Sequence, residues 1–165
     1  MPALNPNINH IALSVPNLED AIKFYTSAFN VRQINDIMVI DLKGEESGPL
    51  NLIYGEEVRQ LRMCFLSAGN NVGLELFEFI NPPYTGAAAP GWNREKYTRG
   101  GVFHFCFTDP DPLATLERAV KLGAKQVGQA ITQTDDQIAL YLQDPWGNVI
   151  ELLTVNWEHM YMRKF

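Results

Sequence analysis

The stretch "LQDPWGNVIELL", residues 142–153, sets two apolar runs on either side of a five-residue turn. Pro145 and Gly147 are strong turn formers, so "QIALYLQD" (137–144) and "NVIELLTV" (148–155) read as the two strands of a hairpin. A carboxylate, Glu151, stands in the middle of the second run. Working back along the chain, "AKQVGQAI" (124–131) reads as another strand. Before it, Asp111 and Pro112 form an N-cap and first-turn pair, Leu113, Leu116 and Val120 line a helix, and Gly123 closes it. "GGVFHFCFTD" (100–109) reads as the strand that opens this half. The order is β-α-β-β-β.

The first half repeats that order. "NINHIALSV" (7–15) suits a strand, and Asn17 is a fitting N-cap for the helix that follows. Leu18, Ala21, Ile22, Tyr25, Ala28 and Phe29 recur at helical spacing and give one apolar stripe. Three strand-like runs come next, at 36–42, 61–66 and 73–80. Segment 43–60 is an insertion rich in Gly, Glu and Pro, and a second irregular stretch links the halves. The whole is expected to be one α+β domain, 1–165, of two modules (7–80 and 100–155), a linker (81–99) and a tail (156–165). A single module of this size could hardly bury its own sheet face.

Bulk composition narrows the function. Thirteen basic residues against nineteen acidic ones give a net charge of −6, which argues against a large nucleic-acid footprint. No apolar run approaches the ~18 residues that span a bilayer, and the start lacks signal-peptide features. A cytoplasmic protein without membrane or nucleic-acid partners is expected. Cys64 and Cys106 both fall in apolar runs and read as buried and reduced.

Polar residues occupy matching places in the two halves. His10 lies in the first strand of one and His104 in the first strand of the other; Glu75 and Glu151 lie in the last strands. His10 and Glu75 stand further apart along the chain than His104 and Glu151, and the excess matches the length of segment 43–60. A lone strand histidine is usually a hydrogen-bonded core or surface residue, and acids such as Glu78 occur casually in strands. A His/Glu pair in both halves is a different matter, because an unpaired buried carboxylate is costly and a metal offsets that cost. If each half curls its sheet around a shared hollow, the four side chains form a ligand set for a divalent ion: Zn, Ni, Fe, Mn or Co.

With these residues in view, the sequence resembles the vicinal oxygen chelate superfamily, the glyoxalase/bleomycin-resistance/dioxygenase group. The resemblance rests on "NHIALSVPNLEDAIKFYTSAFN", "LELFEF", "GGVFHFCFTD" and "LQDPWGNVIELL". It implies paired βαβββ modules forming a cupped, curved mixed sheet, with modules pairing within a chain or across a homodimer. It implies metal ligation by His10, Glu75, His104 and Glu151, as in glyoxalase I of the bacterial type. The activity implied is that of an isomerase or lyase working on a small oxygen-chelating substrate through an enediolate, with Glu151 and Glu75 as candidate bases. A non-haem Fe(II) extradiol-type dioxygenase, in which Glu75 would not be a ligand, and a small-molecule binding protein are the alternatives. The Arg that serves glutathione shortly after the first ligand of the bacterial glyoxalases is missing from "HIALSV".

Substrate contacts are expected from the linker, where Arg94, Tyr97 and Arg99 supply charge and a stacking surface, with Tyr84 and Trp92 nearby. Trp146 is expected to pack in its turn, and Cys106 to line the pocket without ligating. The amphipathic tail, with Trp157, His159, Met160, Tyr161 and Phe165, could cover a neighbouring subunit or close the cup.

Overall fold

The computed structural model describes residues 6–43, 48–86, 92–132 and 137–162, with residues 161 and 162 described by backbone only. Contacts divide the chain into two compact units after Gly86. In the first unit the order is β1 (His10–Ser14), α1 (Leu18–Phe29), β2 (Arg32–Gln33), β3 (Met38–Asp41), α2 (Pro49–Tyr54), β4 (Gln60–Ser67) and β5 (Gly73–Asn81). The strands form one sheet in the order β1-β5-β4-β2, with β3 also on β4, and only β1 and β5 run parallel.

The two faces of this sheet are covered differently. Even-numbered positions of β4 and β5 turn toward α1, which buries Leu18, Ala21, Phe24, Tyr25 and Ala28. The stripe therefore centres on Phe24 rather than on Ile22 and Phe29, which are half-buried; Phe24 stacks edge-on against both Tyr25 and Phe29. Asn17 caps α1 by accepting from the Asp20 amide at 2.8 Å. The other face is filled at one end by Val58, Leu61, Met63 and Phe77, against which Leu50 of α2 and Ile40 of β3 pack. Segment 43–60, read from its composition as irregular, thus supplies a short helix that covers one end of the sheet and leaves the end carrying His10 and Glu75 open.

Glu78 belongs to the α1 side. It is buried, accepts from the Leu18 amide and from Arg62 (2.8 Å), and Arg62 in turn binds Glu19. Arg62 holds the Glu19 carboxyl below its ordinary value. That contribution is therefore complete at neutral pH and lost as the pH falls through the lowered value. Arg62→Leu strands the Glu78 carboxylate and is expected to cost about 2 kcal/mol in urea unfolding; adding Glu78→Gln should recover part of the loss.

The second unit runs α3 (Arg94–Thr98), β6 (Phe105–Thr108), α4 (Pro112–Lys121), β7 (Lys125–Thr132), β8 (Ile138–Gln143), β9 (Val149–Leu153) and α5 (Trp157–Met162). Its sheet has the order β6-β9-β8-β7, again with the first and last strands parallel. Leu140, Leu142, Ile150 and Leu152 are fully buried, and α4, capped by Asp111, packs on β7 and β8. Two expectations are corrected. The opening strand begins at Phe105, not at Gly100, because Gly100 and Gly101 both take positive φ (88° and 84°) and turn the chain before it extends. Cys106 is exposed on β6, while Cys64 is buried; the alternation of β6 puts Phe105 and Phe107 inward instead. Among the described residues no helix is long and apolar enough to cross a membrane.

Candidate active site

In each unit the parallel strand pair brings one histidine and one glutamate together. His10 pairs with Gly73 across β1 and β5, so Glu75 sits diagonally opposite it, level with Ala12. In the second unit Cys106 is level with Glu151 on β6 and β9, and His104 stands two positions before Cys106. The offset is the same. His10 Nε2 lies 3.4 Å from Glu75 Oε2, and His104 Nε2 lies 3.3 Å from Glu151 Oε2.

The surroundings of the two pairs differ. His10 is half exposed, and its Nδ1 donates to Asn9 Oδ1 at 2.8 Å. That bond orients the ring and turns Nε2 toward the Glu75 carboxylate. His104 is more enclosed, with its side chain 26% exposed and that of Glu151 13%. Phe103 and Tyr141 meet the His104 ring edge-on at centroid distances of 4.5 and 5.3 Å. Its Nδ1 is buried without a hydrogen-bond partner, a cost of about 1–3 kcal/mol. Packing therefore does not account for this histidine.

Each pair fits an ion. Two donor atoms about 2.1 Å from one metal are roughly 3.0–3.4 Å apart when the angle between them is right or tetrahedral. The separations observed in both units fall at the upper end of that range, and imidazole nitrogen with carboxylate oxygen is an ordinary mixed donor set for Zn, Ni, Fe, Mn or Co. Among the described residues no group of three or more His, Cys, Asp or Glu side chains is placed to hold an ion; each pair by itself offers two donors. Desolvation of its sulfur, followed by the adjacent Glu151 carboxylate, pushes the Cys106 thiol up to about 12. It stays protonated at neutral pH.

Strand register also reveals neighbours that local pattern does not. Phe65 is level with Glu75 on β4, and Tyr141 is level with Glu151 on β8, so an aromatic ring flanks each carboxylate. Tyr141 was reachable from the sequence by counting outward from the turn at 144–148; Phe65 and Asn9 carried no such mark. Of the linker residues, Arg94 and Tyr97 lie on α3 and Arg99 is its C-cap. Arg99 pairs with Glu95 of α3 at 3.8 Å, Tyr97 packs on Trp92, and Arg94 and Tyr97 share the surface of the helix. These described contacts stay within the linker. His159 is exposed on α5; Phe165 and the side chain of Tyr161 lie outside the described residues.

Comparison with known proteins gives a consistent set. A model of the Glyoxalase/Bleomycin resistance protein/Dioxygenase superfamily matches residues 7–152. The chain is 28% identical over 157 residues to a 2-epi-5-epi-valiolone epimerase from an Actinomyces species, a match covering 90% of this chain and 79% of the relative. Among solved structures it is similar to a glyoxalase family protein from Bacillus cereus, with 19% identity, coverage of 92% of this chain and 95% of that one, and a TM-score of 0.72. It is also similar to the fosfomycin resistance protein FosX from Mesorhizobium loti (17% identity, 97% and 100% covered, TM-score 0.56). Glyoxalase I from Zea mays is matched at 18% identity, over 90% of this chain and 44% of that one, with a TM-score of 0.56. These structural likenesses establish the fold.

Proposed function

The chain belongs to the Glyoxalase/Bleomycin resistance protein/Dioxygenase superfamily, and from that premise we propose that it is a divalent-metal-dependent isomerase. It moves a proton on the carbon beside a substrate carbonyl, as an epimerase of a small oxygen-rich molecule. The two modules work as one domain, and His10, Glu75, His104 and Glu151 are the two halves of one metal centre, completed within a chain or between two copies. One observation carries the reading: the same His–Glu pair at the same diagonal offset in both modules, with His10 opening β1 and His104 immediately preceding β6. The epimerase relative supports the direction of the chemistry, and the missing Arg after His10 speaks against a glutathione thiol as co-substrate.

When bound, a divalent ion supplies Lewis-acid polarisation of the substrate oxygens and offsets the negative charge that grows there. The two carboxylates do the proton work. Inverting a stereocentre beside a carbonyl requires a proton to leave one face and another to arrive at the opposite face, which a carboxylate base on one side and a carboxylic acid on the other accomplish. Glu75 and Glu151, one from each module, fill those roles. Asn9 holds the His10 ring, and the Tyr141 and Phe103 edges hold that of His104.

The test is isotopic. In D2O, with polyhydroxylated ketones offered as a panel, proton NMR should show deuterium entering the carbon beside the carbonyl together with inversion there. A metal-supplied protein that exchanges no such proton above the uncatalysed rate, on any member of the panel, would contradict the proposal.

A further inference from the structure

One row of paired residues crosses the open end of the first sheet, from His10 on β1 through Gly73 on β5 and Ser67 on β4 to Arg32 on β2. Residues paired in this way project to the same face. The row is tall at both ends and low in the middle. Over it lies a recess of about 410 Å3 lined by His10, Glu75, Gly73, Ser67, Phe65 and Arg32, among others. That volume suits a small ligand. Three strand spacings separate the ends, roughly 14 Å between Cα positions.

The low middle is a matter of space. Gly73 does not have a left-handed φ, so its backbone does not demand glycine, but a Cβ there would come within 3.3 Å of the His10 Cβ. In the second unit the matching strands carry Val149, Gln143 and Lys125 in one row, and Val149 and Gln143 are only 5% and 1% exposed. There the middle is filled. Arg32 also differs from Arg62 and Arg99 in its partners. Arg62 is taken by Glu19 and Glu78 and Arg99 by Glu95, whereas Arg32 makes no ion pair among the described residues despite the excess of acids in the chain. Its guanidinium is a five-donor fork without a carboxylate.

We propose that Arg32 anchors the substrate, binding a carboxylate or phosphate group at the end remote from the carbon acted on beside His10 and Glu75. Gly73 and Ser67 are small so that the body of the substrate lies between the two ends. Which end reacts rests on the function proposed above; the anion site itself does not.

The experiment compares two ligand pairs that differ mainly in a remote charge: dihydroxyacetone with dihydroxyacetone phosphate, and 2-pentanone with levulinate. Binding is measured by ligand-observed NMR on the protein as purified and after treatment with a chelator. At least one charged ligand should bind about tenfold more tightly than its neutral partner, and the pair that responds tells phosphate from carboxylate. Arg32→Gln should remove that advantage while leaving the neutral ligand within twofold, and Arg32→Lys should keep part of it. Ser67→Gln, which fills the trough as Gln143 does in the second unit, should weaken all four ligands. No advantage in either pair, or one that survives Arg32→Gln, overturns the proposal. An Arg32-dependent advantage that persists without metal, in a protein that exchanges no proton, would sink the isomerase reading and leave this site standing.

Discussion

Glu151→Gln is expected to slow turnover by about 10²–10⁴-fold, the range for losing a positioned acid or base, in a protein that still folds. The amide keeps the shape of the carboxylate and its place between Cys106 and Tyr141 on the neighbouring strands, so the fold has no reason to fail. What disappears is a group that can accept a proton. Glu75→Gln should cost a similar factor. The isotopic behaviour separates the two roles: with one base left, a variant can still exchange a proton from one face without inverting the centre. Full turnover in either variant would remove that carboxylate from the mechanism. A second readout comes from the thiol. With the Glu151 charge gone, the coulombic part of what pushes the Cys106 thiol up is lost, so alkylation of Cys106 by iodoacetamide should quicken in Glu151→Gln relative to wild type.

Asp144→Ala is expected to be the most destabilising single substitution of the turn. Asp144 is buried, and its Oδ1 accepts from the amides of Trp146 (3.0 Å) and Asn148 (2.8 Å) while Oδ2 accepts from the Asn148 side chain (2.8 Å). Hydrogen bonds to an ionised acceptor are worth more than neutral ones, and removing the acceptor leaves three half-buried donors without it. A loss of about 3 kcal/mol follows, roughly a 10 °C fall in Tm for a chain of this size. The effect should reach the site as well, because this turn fixes the register that sets Glu151 level with Tyr141. Asp144→Asn keeps one acceptor and should lose less. An Ala variant with unchanged Tm would mean that Gly147 (φ 100°) and Pro145 specify the turn without Asp144.

The stretch around that turn also shows why part of the molecule was legible in the sequence. Strand alternation has a period of two, so once "NVIELL" is a strand, the placing of Glu151 on the face opposite Ile150 and Leu152 follows. The same period of two sets Glu75 and Glu78 on opposite faces, and Glu78 indeed turns to Arg62 and the Leu18 amide while Glu75 turns to His10. Asn17 and Asp111 were legible as caps because a cap is a local interaction. Long-range register is not local. Arg32 lies on a strand of two residues, too short to show any alternation, and only its pairing with Ser67 brings it into line with His10. The short helices α2 and α3 were hidden in the same way, since their segments are dominated by turn-forming composition. His104 was placed inside a strand by its apolar neighbours, yet two glycines with positive φ set it at the strand's edge instead.

Metal content tests the central claim most directly. Protein purified without added metal, then offered Zn, Ni, Fe, Mn or Co, should retain one divalent ion for each set of His10, Glu75, His104 and Glu151. His10→Ala and His104→Ala should each lose it, although the two residues belong to different modules. A wild-type protein that holds no ion under these conditions, or one whose ion is indifferent to both substitutions, would contradict the account.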